Sequence, residues 1–274
     1  MANLKDTGFI LRRIPYSESS LILKAYTREH GLMSFMAKGA KRQNSRLHGL
    51  LEPVIHLQFL FPAASRGEIK ILSDVALLHD FPAVRDDLVK QSLAQAFGEV
   101  LLKYMPDEAR APDFHDLLLA ATERLEAAPA TRRAVEAVVA GYLLDFCRLS
   151  GYQPQFRFCV RCDARVAGAG VTFAVDRGGP VCARCRDAAS EGGDSQTLRE
   201  ATLRWLDFAL NGDPDAAEEA DETITRAPLD PPEALYPGRT EAARAEEFLL
   251  LYLGRHAGGQ KPLKSVGVWR ALME

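Results

Sequence analysis

Four of the five cysteines fall in two pairs, Cys159/Cys162 and Cys182/Cys185, giving Cys-x2-Cys, nineteen intervening residues and Cys-x2-Cys. Each pair wraps two thiolates around one corner of a small cation, and two such corners face to face make the closed tetrahedral sulfur site that Zn²⁺ prefers. With all four positions supplied by protein, one zinc held there is structural. A catalytic zinc keeps a position for water, and a deaminase site would add a His-x-Glu; none of the six histidines is followed two residues later by Glu. The competing readings of the spacing are a redox pair and two disulfides. The opening MANLKDTG has no basic n-region, apolar core or small-residue cleavage site, so a cytosolic, reducing setting is expected and weighs against disulfides. The fifth cysteine, Cys147, continues the apolar face Val135, Val138, Val139, Tyr142, Leu143, Phe146 and reads as a core residue of a helix.

At 274 residues the chain has room for two domains of about 150 residues each. No run approaches the roughly twenty apolar residues of a membrane span. The net charge of −3 is unevenly placed. Residues 1–80 hold eleven Lys/Arg against seven Asp/Glu, and the remainder twenty-three against thirty, so the halves suit different partners.

The basic half reads as five short strands, Phe9–Ile14, Leu21–Thr27, Leu32–Ala37, Val54–Phe61 and Ile69–Leu78, separated by Gly-containing polar turns. Five antiparallel strands with a longer loop between the third and fourth fit an OB-fold, the small barrel that commonly binds oligonucleotides; an SH3-like barrel gives nearly the same pattern. After Phe81-Pro82 the period becomes helical. Asp86 or Asp87 can cap a helix to about Tyr104, Asp113 one through Leu125 and Thr131 one through Leu149. Further helices are expected over Ser195–Leu210 and Thr240–His256. The fold class is therefore α+β: a five-stranded OB-fold barrel over residues 1–80, an α-helical domain over 81–158 and 188–274, and an inserted four-cysteine module over 159–187. Between the last helices, Asn211–Arg239 carries eight acidic residues and five prolines, and is expected to be a mobile loop.

From Lys24 to Arg46 the chain offers Lys24, Arg28, Lys38, Lys41, Arg42 and Arg46 against Glu29 alone. On a barrel such a run places cations along one groove, with Tyr26, His30 and Phe35 near enough in sequence to supply stacking surfaces for bases. A solvated loop with no partner is the alternative. The cysteine segment adds Arg157, Arg161, Arg165, Arg177, Arg184 and Arg186 against Asp163 and Asp176, and these arginines are expected chiefly to offset the anionic thiolates.

The runs Ile14-Pro15-Tyr16-Ser17-Glu18-Ser19, Tyr26-Thr27-Arg28-Glu29-His30-Gly31, Ala37-Lys38-Gly39-Ala40-Lys41-Arg42 and Ser45-Arg46-Leu47 resemble the opening domain of the bacterial DNA repair RecO family. The likeness continues through Leu149-Ser150-Gly151-Tyr152-Gln153-Pro154, both cysteine pairs and Lys261-Pro262-Leu263-Lys264-Ser265, and fades in Asn211–Arg239. The cysteines place the chain with the zinc-containing members. The resemblance implies a recombination mediator that binds single- and double-stranded DNA, anneals complementary strands, and works with RecR, and often RecF, to place RecA on DNA coated by single-strand-binding protein. It implies no catalysis, and the sequence has no G-x-x-x-x-G-K-[ST], G-x-G-x-x-G, H-E-x-x-H or G-x-S-x-G. The residues expected to contact phosphates are Lys38, Lys41, Arg42 and Arg46, with Arg28 next. Two other classes stay open: a nucleic-acid-processing enzyme with accessory barrel and zinc modules, and a protein-binding scaffold.

Overall fold

The structure, a computed structural model, describes residues 3–47, 49–63, 67–105, 111–186, 194–212, 231–258 and 263–273. The chain forms two compact units, Met1–Lys103 with Asp107–Glu126 and Leu263–Glu274, and Tyr104–Pro106 with Ala127–Pro262.

The first unit is built on a sheet of six strands: β1 (Asn3–Pro15), β2 (Leu21–Thr27), β3 (Gly31–Ala37), β4 (His56–Pro62), β5 (Ile69–Ile71) and β6 (Asp74–His79), in the order β5-β3-β2-β1-β4-β6. The fifth expected strand, Ile69–Leu78, is thus two strands. The reason is a change of partner: β5 runs parallel to β3, β6 runs antiparallel to β4, and between them Leu72 N–H donates to Met36 O while Ser73 N–H donates to Leu60 O. One segment thereby joins both ends of the sheet, and the barrel closes. β1 does the same on the other side, pairing with β4 over Asn3–Phe9 and with β2 over Gly8–Pro15. At the crossing, a Cβ on Gly8 would fall on the Tyr26 carbonyl, so only glycine fits. Alternate residues fill the interior, where the rings of Phe35 and Phe59 stack at 5.2 Å among Ile10, Leu23, Leu57 and Phe61. Emptying such a site by Phe→Ala costs about 3–5 kcal/mol.

Four helices belong with the barrel: α1 (Pro82–Arg85), α2 (Leu88–Tyr104), α3 (Ala111–Ala127) and, from the far end of the sequence, α8 (Lys264–Met273). Asp87 caps α2 as expected, its Oδ1 accepting from Val89 N–H and Lys90 N–H. The expected boundary near residue 80 marks the change of hydrophobic period, but the compact unit continues past it because polar bonds bind these helices into it. Glu126 accepts from the backbone of Ala83 and Val84 at the start of α1. Glu99 on α2 accepts from Lys264 N–H and Ser265 N–H, capping a helix that has no apolar period long enough to be foreseen.

The second unit contains α4 (Arg132–Leu149), α6 (Glu200–Asn211) and α7 (Arg239–His256), which pack on one another, and a three-stranded sheet of β7 (Gly170–Ala174), β8 (Gly179–Val181) and β9 (Ser195–Arg199), in the order β8-β7-β9, with the one-turn helix α5 (Ala183–Arg186). Thr131 caps α4, accepting from Ala134 N–H. Helix α4 is buried on every side from Ala134 to Cys147, and burial pushes the Cys147 thiol up, in keeping with its core reading. The helix expected over Ser195–Leu210 begins only at Glu200. Its first five residues are β9, because Thr197 and Leu198 pair with Thr172 and Val171 of β7 and sheet pairing outweighs helical propensity. In the acidic segment, residues 213–230 lie outside the described residues. The rest of that segment is packed at its end, where Tyr236 donates to Glu136 Oε2 at 2.6 Å and meets Trp205 edge to face.

A chain of polar contacts ties α3 to the barrel. Arg28 holds Asp116 through Nε–Oδ1 and Nη2–Oδ2, each 3.0 Å; Asp116 Oδ1 lies 2.9 Å from His115 Nδ1; and His115 Nε2 lies 3.3 Å from His56 Nε2. His56 also stacks on Phe9 at 4.8 Å. Burial, reinforced by His115 and His79, pushes His56 down to about 4 from its ordinary 6.5. A group whose folded value is depressed takes up a proton on unfolding, so its contribution is fully present above about pH 6.5 and is lost as pH falls toward 4. Thermal stability is therefore expected to fall across that window. His56→Phe, which keeps an aromatic ring against Phe9, should flatten this arm while lowering stability at neutral pH by about 1–3 kcal/mol through the orphaned His115 nitrogen. An unchanged pH profile in that variant, followed by thermal melts, would contradict the assignment.

Candidate metal centre and nucleic-acid interface

In the second unit the two cysteine pairs come from unlike pieces of backbone. The first is a tight turn: Cys159 N–H donates to Ala164 O at 2.8 Å, Asp163 N–H donates to Cys159 O at 2.9 Å, and Asp163 takes a left-handed conformation with φ 57°. Aspartate tolerates that region better than most residues. The second pair follows β8, with Cys185 N–H donating to Cys182 O at 3.0 Å across α5. Val160 N–H donates to Pro180 O at 3.0 Å and joins the two turns. Gly179 lies beneath this junction, and a Cβ there would fall on Val160 Cγ1 and Gln155 Nε2, so the Gly178-Gly179 pair is required by close approach.

The result is four Sγ atoms all within 4.8 Å of one another, with Cys162 and Cys182 at 3.6 Å. A tetrahedral zinc with bonds of about 2.3 Å needs sulfurs about 3.8 Å apart, so the donor set suits that ion. Cys182 N–H points at Cys159 Sγ at 3.4 Å. Although burial raises the Cys159 thiol, this bond and those from the backbone of Arg161 and Cys162 bring it down to about 6. Cys185 is pushed up to about 12 by hydrogen bonding to the sulfurs of Cys182 and Cys162. A cluster that shares its remaining protons in this way is one from which a bound cation would displace them.

The centre is mounted on α7. Phe173 of β7 meets Phe248 edge to face at 4.8 Å, Arg255 Nε donates to Asp176 at 2.9 Å, and His256 stacks on Tyr152 at 5.2 Å. Of the arginines in the segment, Arg157 is committed to Asp207, its Nε lying 2.8 Å from both carboxylate oxygens, whereas Arg161, Arg165, Arg177, Arg184 and Arg186 are exposed.

In the first unit the strand register sorts the expected DNA contacts. Pro15, Leu21 and Ala37 stand in one row across β1, β2 and β3, so the chain leaves β1 and β3 at the same end of the barrel. Lys38, Lys41, Arg42 and Arg46 all follow Ala37 in the β3–β4 loop, and all four are exposed there. The loop is anchored. Gly39, with φ 68°, lets Ala40 turn into the barrel core, where Leu51 joins it and Leu47 packs against it. Arg42 N–H donates to Gly39 O, and Lys41 reaches the β1–β2 loop twice, Nζ to Ser17 O at 2.6 Å and N–H to Ser19 O at 3.0 Å. The structure therefore brings four of the five nominated residues together.

Arg28 is set apart from them. It lies in the β2–β3 turn, at the other end of a seven-residue strand about 20 Å long, with its guanidinium on Asp116 and Glu29. The expected stacking surfaces are also displaced. Tyr26 and Phe35 are 1% and 0% exposed, Tyr26 donating to Ala111 O, and His30 is held by the buried carboxylate of Asp6 at 2.7 Å. Tyr26 and Phe35 belong to strands whose alternation points them at packed surfaces, and His30 sits in the β2–β3 turn at the end of the barrel away from the loop cations, which proximity in sequence does not reveal. Among the described phenylalanines and tyrosines the exposed rings are Tyr16, in the β1–β2 loop, and Phe158, beside the first cysteine turn. The sequence signal for Tyr16 was its position after Pro15 in a polar Ser-rich loop.

Comparison with known proteins agrees with this architecture. A family model described as Recombination protein O N terminal matches residues 1–81, and one described as Recombination protein O C terminal matches residues 85–265. Curated relatives include the DNA repair protein RecO of Anaeromyxobacter sp. (strain K), 30% identical over 267 residues that span 97% of this chain and 98% of the relative. That of Rubrobacter xylanophilus is 34% identical over 234 residues, spanning 83% of this chain and 91% of the relative. The chain belongs to the recombination protein O family of DNA repair proteins. No described helix is long and apolar enough to cross a membrane.

Purified under reducing, chelator-free conditions, the protein is expected to carry one zinc per chain by metal analysis. Cys162→Ser should lower both the metal content and the soluble yield, since metal-binding free energy is part of the folding free energy of such sites, whereas Cys147→Ser should leave the stoichiometry unchanged. Equal metal content in the wild type and Cys162→Ser would contradict the four-sulfur assignment.

Proposed function

We propose that this chain is a non-enzymatic recombination mediator acting in the cytoplasm on chromosomal DNA. It binds single- and double-stranded DNA through phosphates, anneals complementary strands, and with RecR, and RecF as a further partner, helps place RecA on DNA coated by single-strand-binding protein. One structural zinc on Cys159, Cys162, Cys182 and Cys185 holds the second unit's small sheet together; it supplies rigidity and no chemistry.

The observation that supports this reading best is the gathering of Lys38, Lys41, Arg42 and Arg46 in one anchored loop with no acidic residue among them. Four cations on a fixed frame neutralise successive phosphates without reading base edges, so affinity is salt-dependent and sequence-tolerant. The same property favours annealing: screening two backbones lowers their repulsion while the bases stay free to pair, and no nucleotide is consumed. Arg28, occupied by Asp116, serves the fold.

Titration of labelled single-stranded DNA at several salt concentrations tests the interface. Four phosphate contacts give a slope of log K against log salt of about −2.8, and Lys41→Ala with Arg42→Ala should reduce it to about −1.4. Arg28→Ala should leave the slope unchanged and lower the melting temperature. A slope untouched by the double variant would move the interface elsewhere, most directly to the arginines around the cysteine cluster.

Annealing is tested by a time course with bare strands and with strands coated by single-strand-binding protein, with and without ATP. Acceleration that needs no ATP is expected. Absence of acceleration on both substrates, or an absolute ATP requirement, would overturn the mediator reading in favour of an enzyme.

A further inference from the structure

Tyr16 is 64% exposed at the head of the β1–β2 loop. A single exposed ring carries no message by itself. Its surroundings do. Because Pro15, Leu21 and Ala37 share one row of the sheet, Tyr16 and Lys38 leave adjacent ends of strands two spacings apart, about 10 Å. The two loops are also bonded to each other, through both the ammonium and the backbone N–H of Lys41 on Ser17 and Ser19.

Within its own loop the backbone of Tyr16 is fixed. Tyr16 N–H and Ser17 N–H both donate to Ser20 O, and Ser20 N–H donates back to Ser17 Oγ. The ring therefore stands on a closed five-residue turn with only its two side-chain torsions free, so little entropy is lost when it is covered. Counted together, the two loops carry Lys38, Lys41, Arg42 and Arg46 against Glu18 and Glu52, and Glu52 is paired with Arg13 of β1. An aromatic face beside a cationic track is the arrangement by which single strands are held: cations follow the phosphates, and a ring takes an unpaired base.

We propose that Tyr16 is a stacking platform for one unpaired base and gives this interface its preference for single-stranded over duplex DNA. The inference rests on the DNA-binding reading above and deepens it. A duplex keeps its base faces covered by neighbouring pairs, so it engages the cations alone; a single strand engages the cations and the ring. The phosphate contacts are sequence-blind, and so is stacking, since every base has a π-face.

The test compares two single strands of equal length and charge, oligo-dT and the same backbone carrying abasic sites throughout, on the full-length protein. The wild type is expected to bind oligo-dT about five- to 150-fold more tightly than the abasic strand, the range for one stacked base. Tyr16→Ala should abolish that preference while leaving abasic affinity and the salt slope unchanged, and Tyr16→Phe should retain it. Equal preference in the wild type and Tyr16→Ala, or no preference in the wild type, would overturn the stacking role while leaving the electrostatic interface intact. Equal loss on both strands in Tyr16→Ala would show that the ring supports the loop and would also overturn it. If the wild type binds neither strand, the DNA-binding reading itself fails.

Discussion

The closure of the barrel at Leu72-Ser73 is the constraint on which the rest of the first unit depends. A sheet whose end strands stay open presents unpaired backbone and leaves its register free to slip. Here two adjacent amides donate to carbonyls on opposite sides of the sheet, Leu72 to Met36 and Ser73 to Leu60, and the two ends of the sheet are joined. With closure the register becomes fixed all round. The row Pro15–Leu21–Ala37 then has one position, and so do the two loops that leave beside it. The cations gather there because the strands end there.

The second unit relies on a different constraint. Its small sheet has strands of three to five residues, too short to hold a register unaided, and the segment is drawn together instead where two cysteine turns meet over Gly179. Four sulfurs gathered without a compensating cation would share protons and repel as thiolates. A tetrahedral ion held there would convert that liability into a cross-link between residues 159–162 and 182–185. The aromatic contacts of Phe173 with Phe248 then make the sheet part of the helical core.

What could be read from the sequence was what depends on local chemistry. The cysteine spacing, the caps at Asp87 and Thr131, the helical period of α4 and the basic run are each written within a few residues of one another. What could not be read depends on partners distant in the chain. The split of Ile69–Leu78 follows from two strands that flank it only after closure, and β9 is a strand because β7 lies beside it. Arg28 looked like one more cation of the run until Asp116, eighty-eight residues away, came to meet it. Tyr26 and Phe35 were near the cations in sequence but face packed surfaces, whereas Tyr16, separated from Lys38 by two strands, shares their end of the barrel.

The central claim is that DNA is engaged at the barrel end formed by the β1–β2 and β3–β4 loops. Amide hydrogen exchange of the full-length protein, followed by mass spectrometry with and without saturating single-stranded DNA, tests it most directly. The account predicts DNA-dependent protection over residues 16–20 and 38–47, with the Arg28–His30 turn at the opposite end unchanged. Protection confined to the cysteine turns, with none in the two barrel loops, would contradict it.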